Sequence, residues 1–309
     1  MNLHKNKELF QQTVEMVAEE MKINAAIIEK DYFVTYILKE LVKSEPSIIF
    51  KGGTSLSKCY KLIERFSEDI DINYDNGTDK MTEKMRKKFT QTVIEVIENC
   101  GMELYNGEEI RSRGEFNKFI INYDSEYTIG SLKTHLIVET AISIRSFPTE
   151  VLDADCYIYQ LLKKRELEAM ITQYQLEPFK IKVQTLERTF VDKVFAVCDY
   201  YLNGNLKEHS RHLYDLYKLY PKVKLDESLL NLIEEVRKAR SKSKMCLSAK
   251  DECSINSILI EIIEKDFYKK DYEEITKKLL FEDVNYNLVI ENLQKISNMN
   301  LFNISCQTL

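Results

Sequence analysis

The chain has no tryptophan, only eight glycines and only four prolines in 309 residues. Such sparing use of the strongest turn formers leaves few tight turns. It favours long helices and excludes sandwiches, propellers and collagen-like arrays. No apolar run reaches the 18 residues of a membrane-spanning helix. The opening residues MNLHKNKELFQQ lack the apolar core of a secretory leader. Cysteines stand at 59, 100, 156, 198, 246, 253 and 306, and no two are spaced Cys-x-x-Cys. Zinc ribbons and thioredoxin-like centres are therefore not expected, and reduced, mostly buried thiols in a cytoplasmic protein are. Positive charge is not in surplus either: 44 Lys and Arg face 50 Asp and Glu, a net charge of −6. That removes the global footprint of a polycationic nucleic-acid binder and leaves only local basic patches open.

What is present is an ordinary globular composition, 44% apolar and 30% charged, long enough for about two domains with real cores. Apolar spacing predicts helices over 6–22 and 24–43, a short strand at 47–50, a helix over 55–64 and a strand at 69–73. A helix over 80–100 follows, then strands at 103–106, 116–124 and 135–144. After Pro148 the pattern turns helical, apart from a β-like stretch at 179–183, with helices over 185–203 and 207–220 and only helices from 226 onward. Strands thus crowd the first half. The expected fold class is α+β: a domain over 1–155 with a small mixed sheet flanked by helices, then a helical domain over 156–309.

The chemistry concentrates in Phe50-Lys51-Gly52-Gly53-Thr54-Ser55-Leu56-Ser57 and Ser67-Glu68-Asp69-Ile70-Asp71-Ile72. Asp69 and Asp71, two apart on a predicted strand, share one face while Ile70 and Ile72 take the other. Adjacent carboxylates repel unless a cation sits between them, and Mg²⁺ suits hard oxygens beside substrate phosphates; a solvated acidic edge fits the same pattern. Gly52 and Gly53 let the backbone turn sharply and approach a ligand, and Thr54 and Ser55 are placed to cap a helix or bond a phosphate. A plain capped turn has the same residues, and the Gly-Lys-Ser/Thr ending of a Walker loop is missing. Glu139 sits inside the apolar run Leu136–Ile144. There it needs a partner, metal included, or an open sheet face.

These two stretches resemble the first motif of the DNA polymerase β-like nucleotidyltransferase superfamily. More narrowly, the chain is similar to the AbiEii/AbiGii toxin family. Glu29-Lys30-Asp31-Tyr32-Phe33-Val34-Thr35 resembles that family's N-terminal helix, Leu186-Glu187-Arg188-Thr189-Phe190-Val191-Asp192-Lys193 its third motif, and Arg211-His212-Leu213-Tyr214-Asp215-Leu216-Tyr217 its fourth. Asp192 departs from the Glu common there, and residues 222–309 carry none of the four segments. The resemblance implies Mg²⁺, or Mn²⁺, held by Asp69 and Asp71 with Glu139 as third ligand. It implies a nucleoside triphosphate against Lys51, Gly52, Gly53, Thr54, Ser55, Ser67 and Lys193, and catalytic roles for Asp69, Asp71, Lys193 and Asp215, the last two supplied by the helical domain. The implied reaction moves a nucleoside monophosphate to a hydroxyl, with a tRNA 3′ end as the first candidate acceptor, and releases pyrophosphate; the implied partner is a cognate antitoxin. The alternatives are a protein or small-molecule acceptor, and a nucleotide-binding interaction module with little catalysis.

Weaker features complete the reading. The basic runs Arg237–Lys244 and Lys84–Lys88 are placed as solvated helix surface or as RNA contacts. His209 and His212, three apart, have no partner at metal-site spacing. Tyr200, Tyr201, Tyr214, Tyr217 and Tyr220 are expected to pack between two helices rather than to stack bases.

Overall fold

The computed structural model describes residues 2–67, 69–75, 77, 81–127, 135–142 and 145–302. Glu68 of the acidic motif, residue 80, the 143–144 end of the predicted strand and Cys306 lie outside the described residues. The chain forms two compact units. The first runs to Lys61 and resumes from Ser67 to Gln184; the second holds Leu62–Phe66 and everything from Thr185. The expected boundary at 155/156 is therefore corrected to 184/185.

The reason is an antiparallel strand pair joined through two helices. Strands β6 (Thr149–Ala154) and β7 (Phe179–Gln184) pair along six residues, and β7 then pairs with β1 (Ile48–Lys51), so the chain stays in the first unit's sheet until Gln184. The other strands are β2 (Asp69–Tyr74), β3 (Glu103–Leu104), β4 (Phe116–Asn122) and β5 (His135–Ala141), giving a mixed seven-stranded sheet in the order β3-β4-β5-β2-β1-β7-β6. β6 was not expected from sequence. It is an edge strand, and most of its residues are partly or fully exposed, so it lacks the clean alternation of a half-buried strand.

Helices α1 (Lys7–Met21), α2 (Ala25–Ser44), α3 (Gly52–Lys58), α4 (Glu83–Asn99), α5 (Tyr157–Lys164) and α6 (Glu168–Gln173) complete this unit. Asn6, Asn24 and Thr82 cap α1, α2 and α4 by accepting a backbone N–H. α2 is the central helix: Ile28, Phe33, Ile37, Leu38 and Leu41 are buried in one core with Phe50, Ile70, Ile72, Phe119 and Val138 of the sheet.

The second unit is helical, as expected. Its principal helices are α7 (Leu186–Leu202), α8 (Arg211–Leu219), α9 (Glu227–Arg240) and α10 (Ile255–Glu264), with a last helix at Tyr286–Asn298. Phe190, Val194, Leu213, Leu216, Leu259 and Ile296 are buried in it. No helix among the described residues is long and apolar enough to cross a membrane.

Candidate active site

The acidic strand β2 is built by alternation. Ile70 and Ile72 are fully buried, and Asp69 and Asp71 lie on the opposite, partly exposed face. Register then extends a row across four strands: Lys51 pairs opposite Asp71, Asp71 opposite Glu139, and Glu139 opposite Lys118. Positions directly opposite share a face, so the row alternates cation, carboxylate, carboxylate, cation. Lys118 Nζ lies 3.2 Å from Glu139 Oε1 in a pair that is partly open to solvent. The sequence-predicted third ligand is thus engaged by a lysine. Among the described residues, no three His, Cys, Asp or Glu side chains converge to hold a metal ion.

Gly52 explains how the loop meets the strand. Its φ is +76°, a left-handed conformation that favours glycine. A Cβ built there would fall 2.0 Å from Asp71 Oδ2. The backbone therefore passes directly over the carboxylate, and no side chain fits between them. Gly52→Ala is expected to cost about 1–3 kcal/mol in urea unfolding, from the backbone conformation alone. The clash should also turn the Asp71 carboxylate. Wild-type stability in the variant would show that the close approach does not exist.

Thr54 and Ser55 are buried, and their hydroxyls serve the loop itself. Thr54 Oγ1 donates to the Asp69 carbonyl at 2.5 Å and lies 2.8 Å from Ser67 Oγ; Ser55 Oγ donates to the Gly52 carbonyl at 2.9 Å. These bonds tie the glycine loop to the start of β2. The helix after the glycines runs over Gly52–Lys58 rather than 55–64, because the chain turns out at Cys59 and Lys61 takes a positive φ.

In the second unit the structure places Lys193 and Asp215 together and adds Arg65, which sequence reading missed. Arg65 grips Asp215 bidentately, Nε to Oδ1 at 2.7 Å and Nη2 to Oδ2 at 2.8 Å. Lys193 Nζ donates to Oδ2 at 2.6 Å, and all three side chains are buried. Burial alone would raise the Asp215 carboxyl. The two cations override it and hold Asp215 far below the usual carboxylate range. Burial pushes the Lys193 ammonium down against the pull of Asp215. Burial and the neighbouring Lys193 also keep His212 well below its ordinary value, so it is a neutral imidazole whose Nδ1, 3.3 Å from Lys193 Nζ, can only accept. Tyr200 stacks on His209 at 3.5 Å between ring centroids. The signal for Arg65 was indirect: Asp215 falls on the same apolar helix as Leu213, Leu216 and Leu219, and a buried carboxylate there demands a cation.

Neighbouring elements brace this triad. Tyr214 Oη accepts the Glu64 backbone N–H at 2.9 Å and donates to Glu282, which pins the Arg65 segment to α8. Asp271 accepts from the backbone N–H groups of Glu208 and Ser210 at 2.8 and 3.0 Å, just before α8 begins.

The basic run at 237–244 is in part neither solvated nor free for RNA. Arg237 donates to the Cys253 and Phe302 carbonyls. Arg240 pairs with Asp192 and Asp199, and both guanidiniums lie over the Phe195 ring. Asp192, the departure noted in the third motif, also takes Arg188 at 3.0 Å.

The model of a family described as "Nucleotidyl transferase AbiEii toxin, Type IV TA system" matches residues 36–293. The match takes in the helices after residue 222, where sequence reading placed no motif, and begins after the 29–35 segment. No curated protein matches the chain.

Proposed function

The chain belongs to the AbiEii family of nucleotidyl transferase toxins, and on that premise we propose that it is a Mg²⁺-dependent enzyme moving a nucleoside monophosphate from a nucleoside triphosphate to a hydroxyl acceptor. The observation that carries this reading is the pair Asp69 and Asp71 on one open face of β2, with the glycine loop pressed onto Asp71 Oδ2. Mg²⁺ is commonly held by one or two carboxylates, with phosphate oxygens and waters completing the shell. The donor set fits that pattern without a closed protein cage. Asp69 and Asp71 would hold the ion, with Glu139, opposite Asp71 in the register, as the third candidate. When bound, the ion would neutralise charge on the phosphoryl oxygens and orient the triphosphate.

The chain's own part is positioning. Gly52 and Gly53 offer the phosphates backbone without side chains, Lys51 supplies a cation at the head of the loop, and Thr54 and Ser67 fix the loop against β2. In the reaction the acceptor oxygen attacks the α-phosphorus, the bond from that phosphorus to the pyrophosphate oxygen breaks, pyrophosphate leaves and the hydroxyl releases its proton. Asp215, with both oxygens spent on Arg65 and Lys193, suits holding those cations rather than taking that proton. The proposed acceptor is a tRNA 3′ end, carried by the family resemblance, and the proposed partner is a cognate antitoxin.

The test is incubation of the purified protein with each of four α-³²P nucleoside triphosphates, Mg²⁺ and total bacterial tRNA, beside an Asp69→Asn/Asp71→Asn variant. Label in tRNA with wild type alone is the expected result. Label on protein or on another component keeps the chemistry and moves the acceptor. No label from any triphosphate, with nucleotide binding intact by calorimetry, replaces the transferase by a binding module.

A further inference from the structure

The segment Glu29–Thr35 stood out in the sequence, yet nothing in the proposed reaction uses it. Its place becomes visible at the far end of α3. Lys58, the last residue of that helix, is 3% exposed. Its ammonium donates to Asp31 Oδ1 at 2.5 Å, to the Asp31 carbonyl at 3.1 Å and to Thr35 Oγ1 at 2.5 Å. A lysine has three N–H donors, and all three are spent on one turn of α2. The acceptors are themselves fixed. Thr35 Oγ1 donates to the Asp31 carbonyl at 2.7 Å, and Asp31 Oδ2 accepts the Tyr157 backbone N–H at 2.8 Å, at the first residue of α5. Cys156, the N-cap of α5, offers no side-chain bond, so Asp31 supplies that cap.

Such an arrangement does more than bury a charge. α3 is seven residues long and is entered through a glycine at φ +76°. A helix of two turns has no stability of its own, and a glycine hinge does not fix its direction. Its direction is set where its side chains are held. Thr54 is tied to Asp69 and Ser67 at the front, and Lys58 is locked at the back. With both points fixed, the stretch between them, residues 55–57, has one orientation relative to β2, and Gly53, next to Thr54, is carried with it.

We propose that Lys58, gripped by Asp31 and Thr35, is a positioning residue: it aims the glycine loop and so sets how a triphosphate is held beside Asp71. The aiming itself is independent of the transferase reading; its effect on nucleotide use rests on that reading. Lys58→Met alone leaves Asp31, half-buried at the end of that grip, without its cation, and the melting midpoint should fall by about 10 °C. The informative variant is therefore Asp31→Asn/Lys58→Met. It removes both charges at similar size, keeps an acceptor for the Tyr157 N–H, and deletes the three-point grip. Its melting midpoint should return to within about 4 °C of wild type.

Amide hydrogen exchange across residues 52–58 should nonetheless be at least about 10-fold faster than in wild type, because the back of α3 is released. In the labelling assay the same variant should lose on the order of 100-fold in kcat/KM for the triphosphate, the scale of effect expected from misplacing a bound substrate. Wild-type exchange in the double variant would overturn the proposal whatever the enzyme does. Fast exchange with unchanged kcat/KM would overturn the link to catalysis. An inactive wild type would overturn the transferase reading, and with it that link, while the exchange result still decides whether Lys58 aims the loop.

Discussion

Asp71→Asn is expected to lower nucleotide transfer by at least about 1,000-fold while leaving the protein folded. The two halves of that expectation have separate grounds. The fold should stand because Asn has the shape of Asp and fits under the Gly52 backbone, where nothing larger than a hydrogen is tolerated at the α-carbon. The strand is held by Ile70 and Ile72 in the core and by ladder bonds to β1 and β5, none of which needs the carboxylate charge. The melting midpoint should therefore stay close to that of wild type. Activity should fall because an amide offers a cation one neutral oxygen in place of a charged carboxylate, and charge neutralisation at the phosphoryl oxygens is the main work asked of this face. Radiolabel transfer and thermal melting on the same preparation check both halves. A variant that melts like wild type and still transfers label would remove Asp71 from the site.

Much of that site was legible in the sequence because its logic is local. The alternation Asp-Ile-Asp-Ile sets the two faces of a strand whatever surrounds it, and β2 occupies the expected residues within one position. The paired glycines before Thr54 and Ser55 read as an approach to a ligand; what Gly52 lies against is the Asp71 carboxylate. What stayed hidden depends on partners far along the chain. Glu139 was read as a carboxylate in need of company, but its company, Lys118, comes from the register of β4 on β5, which no spacing shows. Arg65 sat in what looked like a connecting loop; only the fold brings it to Asp215, 150 residues away. Arg237 and Arg240 looked like solvent-facing charge because five cations in eight residues dominate the composition there. Three apart on a helix they share a face, and that face lies over Phe195. The unit boundary was placed early for a related reason. β6 is an exposed edge with no alternation to detect, so the β-like stretch at 179–183 stands among helices in the sequence instead of being joined to the sheet as β7.

The second large effect is expected at Asp215, and it is on stability. Asp215→Asn removes the one anion between Arg65 and Lys193, leaving two buried cations on either side of a neutral amide. Breaking a buried charge network at one member typically costs about 3–5 kcal/mol, because the remaining charges are desolvated without compensation. Urea unfolding should show that loss at pH 7. A triple variant, Arg65→Met/Lys193→Met/Asp215→Leu, should recover most of the stability, since well-packed apolar groups replace buried ions with little net cost. It should not recover transfer if Lys193 contacts the nucleotide, and this separates the structural from the catalytic work of that lysine.

The pH dependence has a definite sign. Asp215 titrates lower in the folded chain than in the unfolded one, so the unfolded chain binds the extra proton first as pH falls. Its stabilisation is complete above the unfolded carboxylate range, near pH 4, and is lost only as pH drops below that. His212 runs the same way in a higher window: held neutral by burial, it makes the folded state progressively less favourable as pH falls below about 6.5. Wild type should therefore lose stability in two stages on acidification. Asp215→Asn should show a shallower lower stage, because Asn cannot titrate and only the other lowered carboxylates among the described residues, Glu20, Asp226 and Glu261, remain to contribute there. An Asp215→Asn profile parallel to wild type below pH 4 would mean that the buried carboxylate is not held ionised by Arg65 and Lys193.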